Sequence, residues 1–376
     1  MVTQLSQEKL KAANRIVIKV GSSLLIDNDG NALRQGWLEA LAHDIKTLRD
    51  NGKQVILVSS GAIALGLGGL GLVQRTNRLE DAQAAAAIGQ IQLAQGYQDA
   101  FAAQKLSIAQ ILLTLDDLEH RPRYLNARNT VETLIENGVI PVINENDTVA
   151  TSEIRFGDND RLAARVAQMC SADLLILLSD IDGLYSTDPS VDNNAVFMPV
   201  VKDLNTDIEA MAGPAKTTAG TGGMVTKLLA AKIALAGGCS MVIMNGNGQA
   251  PISRLEKGER STCFPATSDP LTRRKQWIQS MMAPKGVVTI DNGAFKALSG
   301  GASLLPAGVK DVSGAFMRGD LVACKGPDGN IVAQGLVSYD AADAKLIMGL
   351  KTSDVTPVLG YAGRAALIHR DDLVIL

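Results

Sequence analysis

The sequence predicts an α/β protein: a mainly parallel sheet sandwiched between helices, followed by a small β-rich C-terminal domain. Three observations carry that expectation. Through the first two-thirds of the 376 residues, short apolar runs alternate with amphipathic or Ala-rich stretches, a pattern that builds parallel sheets covered on both faces. The 36 glycines exceed what a helical bundle uses and suit a chain with many strand-helix loops. After about residue 284 the helical periodicity fades, and short strand-like runs are separated by turns such as Pro327-Asp328-Gly329-Asn330.

Taken in order, the expected strands of the first domain are Arg15–Val20, Gln54–Ser59, Ser107–Leu113, Val139–Ile143, Leu174–Ser179 and Met241–Met244. The helical stretches between them are Arg34–Asp50, Asp81–Ala103, Asn126–Asn137, Asp160–Ser171 and Met224–Ala236. The composition changes near Arg273–Pro284, so the domains are drawn at residues 1–272 and 284–376. The second is expected to contain strands at Val287–Ile290, Leu321–Cys324, Ile331–Gly335, Val358–Leu359 and Ala365–Ile368. The polar segment Met1–Asn14 matches nothing assignable.

Hydrophobic residues make up 46% and charged residues 20%, as in ordinary soluble globular proteins. With 3% aromatics, the core must be built from Ala, Val, Ile and Leu. The net charge of −3 argues against a general nucleic-acid binder. Cys170, Cys239, Cys263 and Cys324 show no paired spacing, and His43, His120 and His369 are scattered, so no metal site is expected. A reduced, cytoplasmic setting follows from that cysteine usage. The opening residues lack the apolar core of a signal peptide, and no apolar run reaches bilayer length, so no membrane association is expected.

Two lysines on glycine and hydroxyl loops dominate the chemistry. Lys19 ends an apolar run and is followed at once by Gly21-Ser22-Ser23 after Val20. Lys227 closes Thr221-Gly222-Gly223-Met224-Val225-Thr226-Lys227, where a glycine-rich stretch enters a helix. Glycine lets backbone N–H groups approach phosphate, and lysine neutralises oxygens that gain charge during transfer. Between them lies Gly157-Asp158-Asn159-Asp160, whose bland reading is a helix cap. The extra carboxylate, Asp160, would orient both lysines without acting as a base. An acceptor that is itself a carboxylate needs no general base, because it is already ionised at neutral pH.

Other polar groups fall at predicted strand ends, where open α/β sheets bind ligands. Ser59-Ser60-Gly61 leads from a strand into a helix, and Asn144-Glu145-Asn146-Asp147 follows another strand, placed to grip an α-amino group and other polar substrate atoms. Ser179-Asp180 offers donors and acceptors for a nucleotide. Gly66-Leu67-Gly68-Gly69-Leu70-Gly71 matches a dinucleotide fingerprint in form only, because no strand precedes it, and reads as a flexible connection. Asp81–Ala103 reads as a core or subunit-interface helix, and Asp116, Asp117 and Glu119 as a solvated cluster.

Together these segments resemble the amino-acid kinase family, most closely its glutamate-phosphorylating members. The matching pieces are Lys19–Ser23, Ser59–Ala64, Leu125-Asn126-Ala127-Arg128, Pro141–Asp147, Gly157–Asp160, Asp182-Gly183-Leu184-Tyr185 and Gly220–Lys227. The tail resembles the PUA domain through Asp291-Asn292-Gly293-Ala294, Gly301–Pro306 and Gly319-Asp320. The resemblance implies transfer of the ATP γ-phosphoryl group to the side-chain carboxylate of L-glutamate, with Mg²⁺ on the phosphates, as the first step of proline biosynthesis. It gives Lys19, Lys227 and Asp160 catalytic roles and Ser60, Asp147 and Asn159 to glutamate. ATP falls to Lys19, Ser179, Asp180, Thr221, Gly222, Gly223, Met224, Val225, Thr226 and Lys227. Ser179 departs from the family's usual threonine but keeps the hydroxyl.

A homo-oligomer, proline feedback and hand-over of the labile product to a glutamyl phosphate reductase are expectations of the same kind. The alternatives are another family member, such as an aspartate or acetylglutamate kinase, or an RNA-binding PUA protein. Residues 286–376 carry eight Lys and Arg against nine Asp and no Glu, a poor footprint for RNA.

Overall fold

The computed structural model describes residues 4–27, 32–71, 78–149, 159–212, 223–280 and 284–376. The chain divides into two compact units, Met1–Pro270 and Leu271–Leu376. Among the described residues no helix is long and apolar enough to cross a membrane.

In chain order the first unit contains α1 (Gln4–Ala12), β1 (Arg15–Val20), α2 (Ser22–Leu25), α3 (Gln35–Asp50), β2 (Gln54–Val58), α4 (Ala62–Leu67) and α5 (Leu79–Ala103). It continues through β3 (Ile108–Leu113), α6 (Leu115–Glu119), α7 (Arg121–Glu136), β4 (Ile140–Glu145), α8 (Asn159–Met169) and β5 (Leu174–Ser179). A two-strand ribbon, β6 (Leu184–Tyr185) and β7 (Phe197–Met198), precedes α9 (Thr206–Ala210), α10 (Met224–Ala236), β8 (Ser240–Asn245), α11 (Pro251–Glu256) and β9 (Ser261–Phe264).

Seven of these strands form one sheet in the order β3-β4-β2-β1-β5-β8-β9. Every pairing is parallel except that of β9 with β8. The sheet separates two apolar layers, and strand alternation decides which residue enters which. From β1, Ile16, Ile18 and Val20 join the layer of α3 and α5, whereas Val17 joins that of α7, α8 and α10. Burying each such side chain contributes about 1.5–3 kcal/mol, so the alternation holds the strand in one register. The unassigned N-terminal segment forms α1, which buries Leu10 and binds through Ser6, whose hydroxyl accepts from Ser261 at 2.9 Å.

The glycine cluster expected to be a flexible connection has a different role at its start. Gly66 lies inside α4 and is buried. A Cβ there would fall 1.7 Å from the Ala85 carbonyl oxygen, and one at Gly89 of α5 would fall 1.8 Å from that of Ala62. The two helices therefore cross backbone to backbone, which only glycine permits at these positions. Periodicity cannot see a close approach between segments distant in sequence.

The second unit holds α12 (Pro270–Ser280), β10 (Gly286–Ile290), α13 (Asn292–Ser299), β11 (Val309–Gly314), β12 (Leu321–Lys325), β13 (Ile331–Leu336), α14 (Ala341–Ile347), α15 (Thr352–Leu359) and β14 (Leu373–Ile375). Its five strands run β11-β10-β12-β13-β14, with only β10 and β12 parallel. The expected strand at Val358–Leu359 is instead the last turn of α15, ended by Gly360 at φ 75°. A short apolar run reads equally as strand or helix. Ala365–Ile368 also forms no strand ladder; Ile368 makes a single bridge to Leu304.

Candidate active site

Parallel pairing brings the ends of the central strands to one level. Lys19 stands opposite Val58 of β2 and Leu177 of β5, and Ser59 N–H donates to the Ile143 carbonyl of β4 at 2.8 Å. Two residues beyond Val17, Lys19 falls on the face covered by α8 and α10. Asp160 is in the first turn of α8 and Lys227 in the first turn of α10. Lys19 Nζ lies 2.7 Å from Asp160 Oδ1, and Lys227 Nζ lies 3.2 Å from Asp160 Oδ2. The Thr226 hydroxyl also donates to Asp160 Oδ2 at 3.1 Å.

All three charges are nearly out of water, at 9%, 2% and 5% exposure for Lys19, Asp160 and Lys227. Burial alone would raise the Asp160 carboxyl, but the ammonium groups of Lys19 and Lys227 outweigh it and hold it well below the usual carboxylate range. The N-terminus of α8 favours the same ionised form, whereas Lys227 sits at the unfavourable end of its helix dipole. Asp160 offsets that cost. The arrangement keeps two cations fixed side by side, and the trio carries a surplus of one positive charge.

Around this trio the sheet edge is polar and buried. Gly61 adopts φ 101°, a left-handed conformation natural to glycine, and turns the chain from β2 into α4 just after Ser60. Ser60, Asn144, Glu145, Asp147 and Asn159 are all buried. Burial, and secondarily the charge of Glu145, pushes the Asp147 carboxyl up to about 7. The side-chain oxygens of Asn144 and Asn159 are buried and accept no hydrogen bond. Such groups cost about 1–3 kcal/mol when unpaired. At the end of β5, Ser179 donates to Asp180 Oδ1 at 2.9 Å.

Lys19, Asp160 and Lys227 are thus brought into contact. Ser60, Asp147 and Asn159 belong to the loops and helix start bordering the same strand ends, as do Ser179 and Asp180. Gly223 precedes α10, and Met224, Val225 and Thr226 open it. Thr221, Gly222, Gly157 and Asp158 lie outside the described residues. Two neighbours escaped sequence reasoning. Asn245, ending β8, donates to the Asp180 carbonyl at 3.4 Å. Gln90 of α5 accepts from Asn144 Nδ2 at 2.8 Å; its helix is so rich in Ala and Gln that no single position stands out. The acidic group at α6 is structural, with Asp117 forming a capping box with Thr114 and pairing with Arg123.

Comparison with known proteins gives the family. Residues 14–245 match the amino acid kinase family and residues 286–359 the PUA domain. The chain is 56% identical over 365 residues to the glutamate 5-kinase of Paramagnetospirillum magneticum, covering 97% of this chain and 98% of that one. It is 54% identical over 366 residues to the glutamate 5-kinase of a Ruegeria species, covering 97% and 99%. A third relative, glutamate 5-kinase 1 of Mesorhizobium japonicum, is 55% identical over 368 residues, covering 98% and 97%. With a parallel sheet between helical layers and charged side chains gathered at its carboxyl edge, the chain belongs to the amino acid kinase family and carries a C-terminal PUA domain.

Proposed function

We propose that the protein transfers the γ-phosphoryl group of ATP to the side-chain carboxylate of L-glutamate, giving γ-glutamyl phosphate and ADP, the first step of proline biosynthesis. The observation that carries this reading is the Lys19–Asp160–Lys227 trio at the carboxyl edge of the sheet. Its two cations flank a position where phosphoryl oxygens gain negative charge. The three histidines lie on other elements, in α3, between α6 and α7, and in the second unit. A carboxylate acceptor suits a centre of this kind, since it attacks phosphorus without first losing a proton. Glutamate as the acceptor is supported by relatives more than 50% identical over nearly the whole chain.

In the forward reaction a glutamate carboxylate oxygen bonds to the γ-phosphorus while the bond to the ADP oxygen breaks. Lys19 and Lys227 stabilise the equatorial oxygens, and Asp160 holds the two ammonium groups at fixed separation. This is catalysis by placement and charge, the pattern expected for phosphoryl transfer. Ser60 and Asn159 orient glutamate, and Asp147 receives its α-ammonium group. Ser179, Asp180 and the segment 221–227 bind ATP. Mg²⁺ would be carried on the ATP phosphates, where it would neutralise part of their charge.

The test is capture of the acyl phosphate. Protein, ATP, Mg²⁺ and hydroxylamine are incubated with glutamate, aspartate or N-acetylglutamate in parallel. Hydroxamate formed with glutamate is the expected result. Formation only with another acceptor would sink the assignment while leaving the kinase chemistry intact.

A further inference from the structure

Strand alternation places Asn144 on the opposite face from Lys19. Ile140 and Val142 of β4 join the layer of α3 and α5, so Asn144, two residues on, turns to that layer as well. There Gln90 Oε1 accepts from Asn144 Nδ2 at 2.8 Å. The other end of the same amide, Asn144 Oδ1, is buried and accepts nothing, and the residue is 2% exposed. It adjoins the Ser59 end of β2, three residues before Asp147.

An asparagine amide has two faces of opposite character, donor and acceptor, and can present either by a half-turn. Which one borders the ligand decides whether a cation or an anion is welcomed. In the structure Gln90 engages the donor end through its own amide oxygen. Its own position is set by the helix crossing next to it, where Gly89 meets the Ala62 carbonyl with no room for a side chain.

We infer that Gln90 is a positioning residue for substrate recognition: by accepting from Asn144 Nδ2 it leaves the amide oxygen as the end available to a ligand, a partner for an α-ammonium group beside Asp147. Gln90 does not touch the substrate. The inference rests on the proposed acceptor being an amino acid. It supplies a reason for preferring one over the corresponding dicarboxylate without the amino group.

The experiment compares Gln90→Met, which keeps length but cannot accept, with Gln90→Glu, which accepts from the same Nδ2. The probes are glutamate as substrate and glutarate, which lacks the α-ammonium, as a competing inhibitor. In Gln90→Met the KM for glutamate is expected to rise about tenfold, the size of one hydrogen bond to a charged group. The KM for ATP, the kcat and the glutarate inhibition constant stay within about twofold of the unmodified protein, by the same separation of terms. Gln90→Glu is expected to remain within about threefold of the unmodified protein for glutamate, since the accepting oxygen is retained.

An unchanged glutamate KM in Gln90→Met would overturn the inference. So would equal losses in both variants, which would mean that Gln90 donates rather than accepts. Parallel weakening of glutamate and glutarate would also overturn it, since that is what general disturbance of α5 produces. Failure of the functional reading is separately visible, as absence of glutamate-dependent hydroxamate with the unmodified protein.

Discussion

Lys227 Nζ lies 3.2 Å from Asp160 Oδ2, although the two residues are 67 positions apart and open different helices. Lys19 holds the other oxygen of the same carboxylate. Replacing Lys227 by Ala removes one of the two cations that stabilise the transferring group. Turnover is expected to fall about 10²–10³-fold, as when a charge-stabilising donor is deleted elsewhere. The circular dichroism spectrum should be retained, because Asp160 keeps its pairing with Lys19. Turnover within a few-fold of the unmodified protein would refute the role.

Asp160→Asn is a different lesion. It leaves two ammonium groups facing each other with no carboxylate between them, and breaking a buried ionic group this way costs about 3–5 kcal/mol. A lower melting temperature is expected, partly restored by ATP, whose phosphates supply the missing negative charge. Because the folded-state carboxyl is held low, its stabilising contribution is present above the unfolded carboxylate range and lost as pH falls through the folded value. Thermal melts of the variant should therefore lose less stability on acidification than those of the unmodified protein.

Asp147 titrates in the opposite sense. Its carboxyl is raised to about 7, by burial first and then by Glu145. The protonated form contributes stability below the unfolded carboxylate range, and that contribution is lost as pH rises through about 7. An α-ammonium group favours the ionised form. Glutamate affinity is thus expected to improve from pH 6 to pH 8, by up to about tenfold per unit on the acid side, and the glutamate-induced rise in melting temperature should widen over the same interval. Asp147→Asn should flatten both profiles. A KM that does not change with pH in the unmodified protein would count against the assigned contact.

Gly89→Ala tests the helix crossing. In an ordinary helix this change stabilises by roughly 1 kcal/mol. Here the new methyl carbon would fall 1.8 Å from the Ala62 carbonyl oxygen, so α4 and α5 must separate. Overpacking of this kind costs about 1–3 kcal/mol, and it displaces the start of α4 just beyond Ser60. Chemical denaturation should report the loss of stability, and glutamate KM should rise with it. A variant as stable as its parent would mean that the crossing is soft.

Much of the first unit was legible because its signals are local. Short apolar runs located β1, β2, β4 and β5, and the polar residues after them named the candidate site. Asp160 and the two lysines could be grouped by charge logic before any geometry was known. What stayed hidden depends on partners far away in sequence. The Gly66–Gly89 crossing, the Gln90–Asn144 bond and the Asn245–Asp180 contact all join segments whose local patterns are unremarkable. The second unit was harder, since Val358-Leu359 alone cannot declare whether it ends a helix or forms a strand.

The paired strand ends have a consequence for how this centre can vary. Lys19 is positioned by the ladder on both sides of β1, and a ladder moves only in whole residues. A slip of one would turn Lys19 to the opposite layer and exchange the burial of Ile16, Val17 and Ile18. No small displacement along the strand lies between those states. The position of Lys19 is therefore quantised by the sheet, and substitutions can weaken or abolish it but cannot gradually retune it by sliding β1.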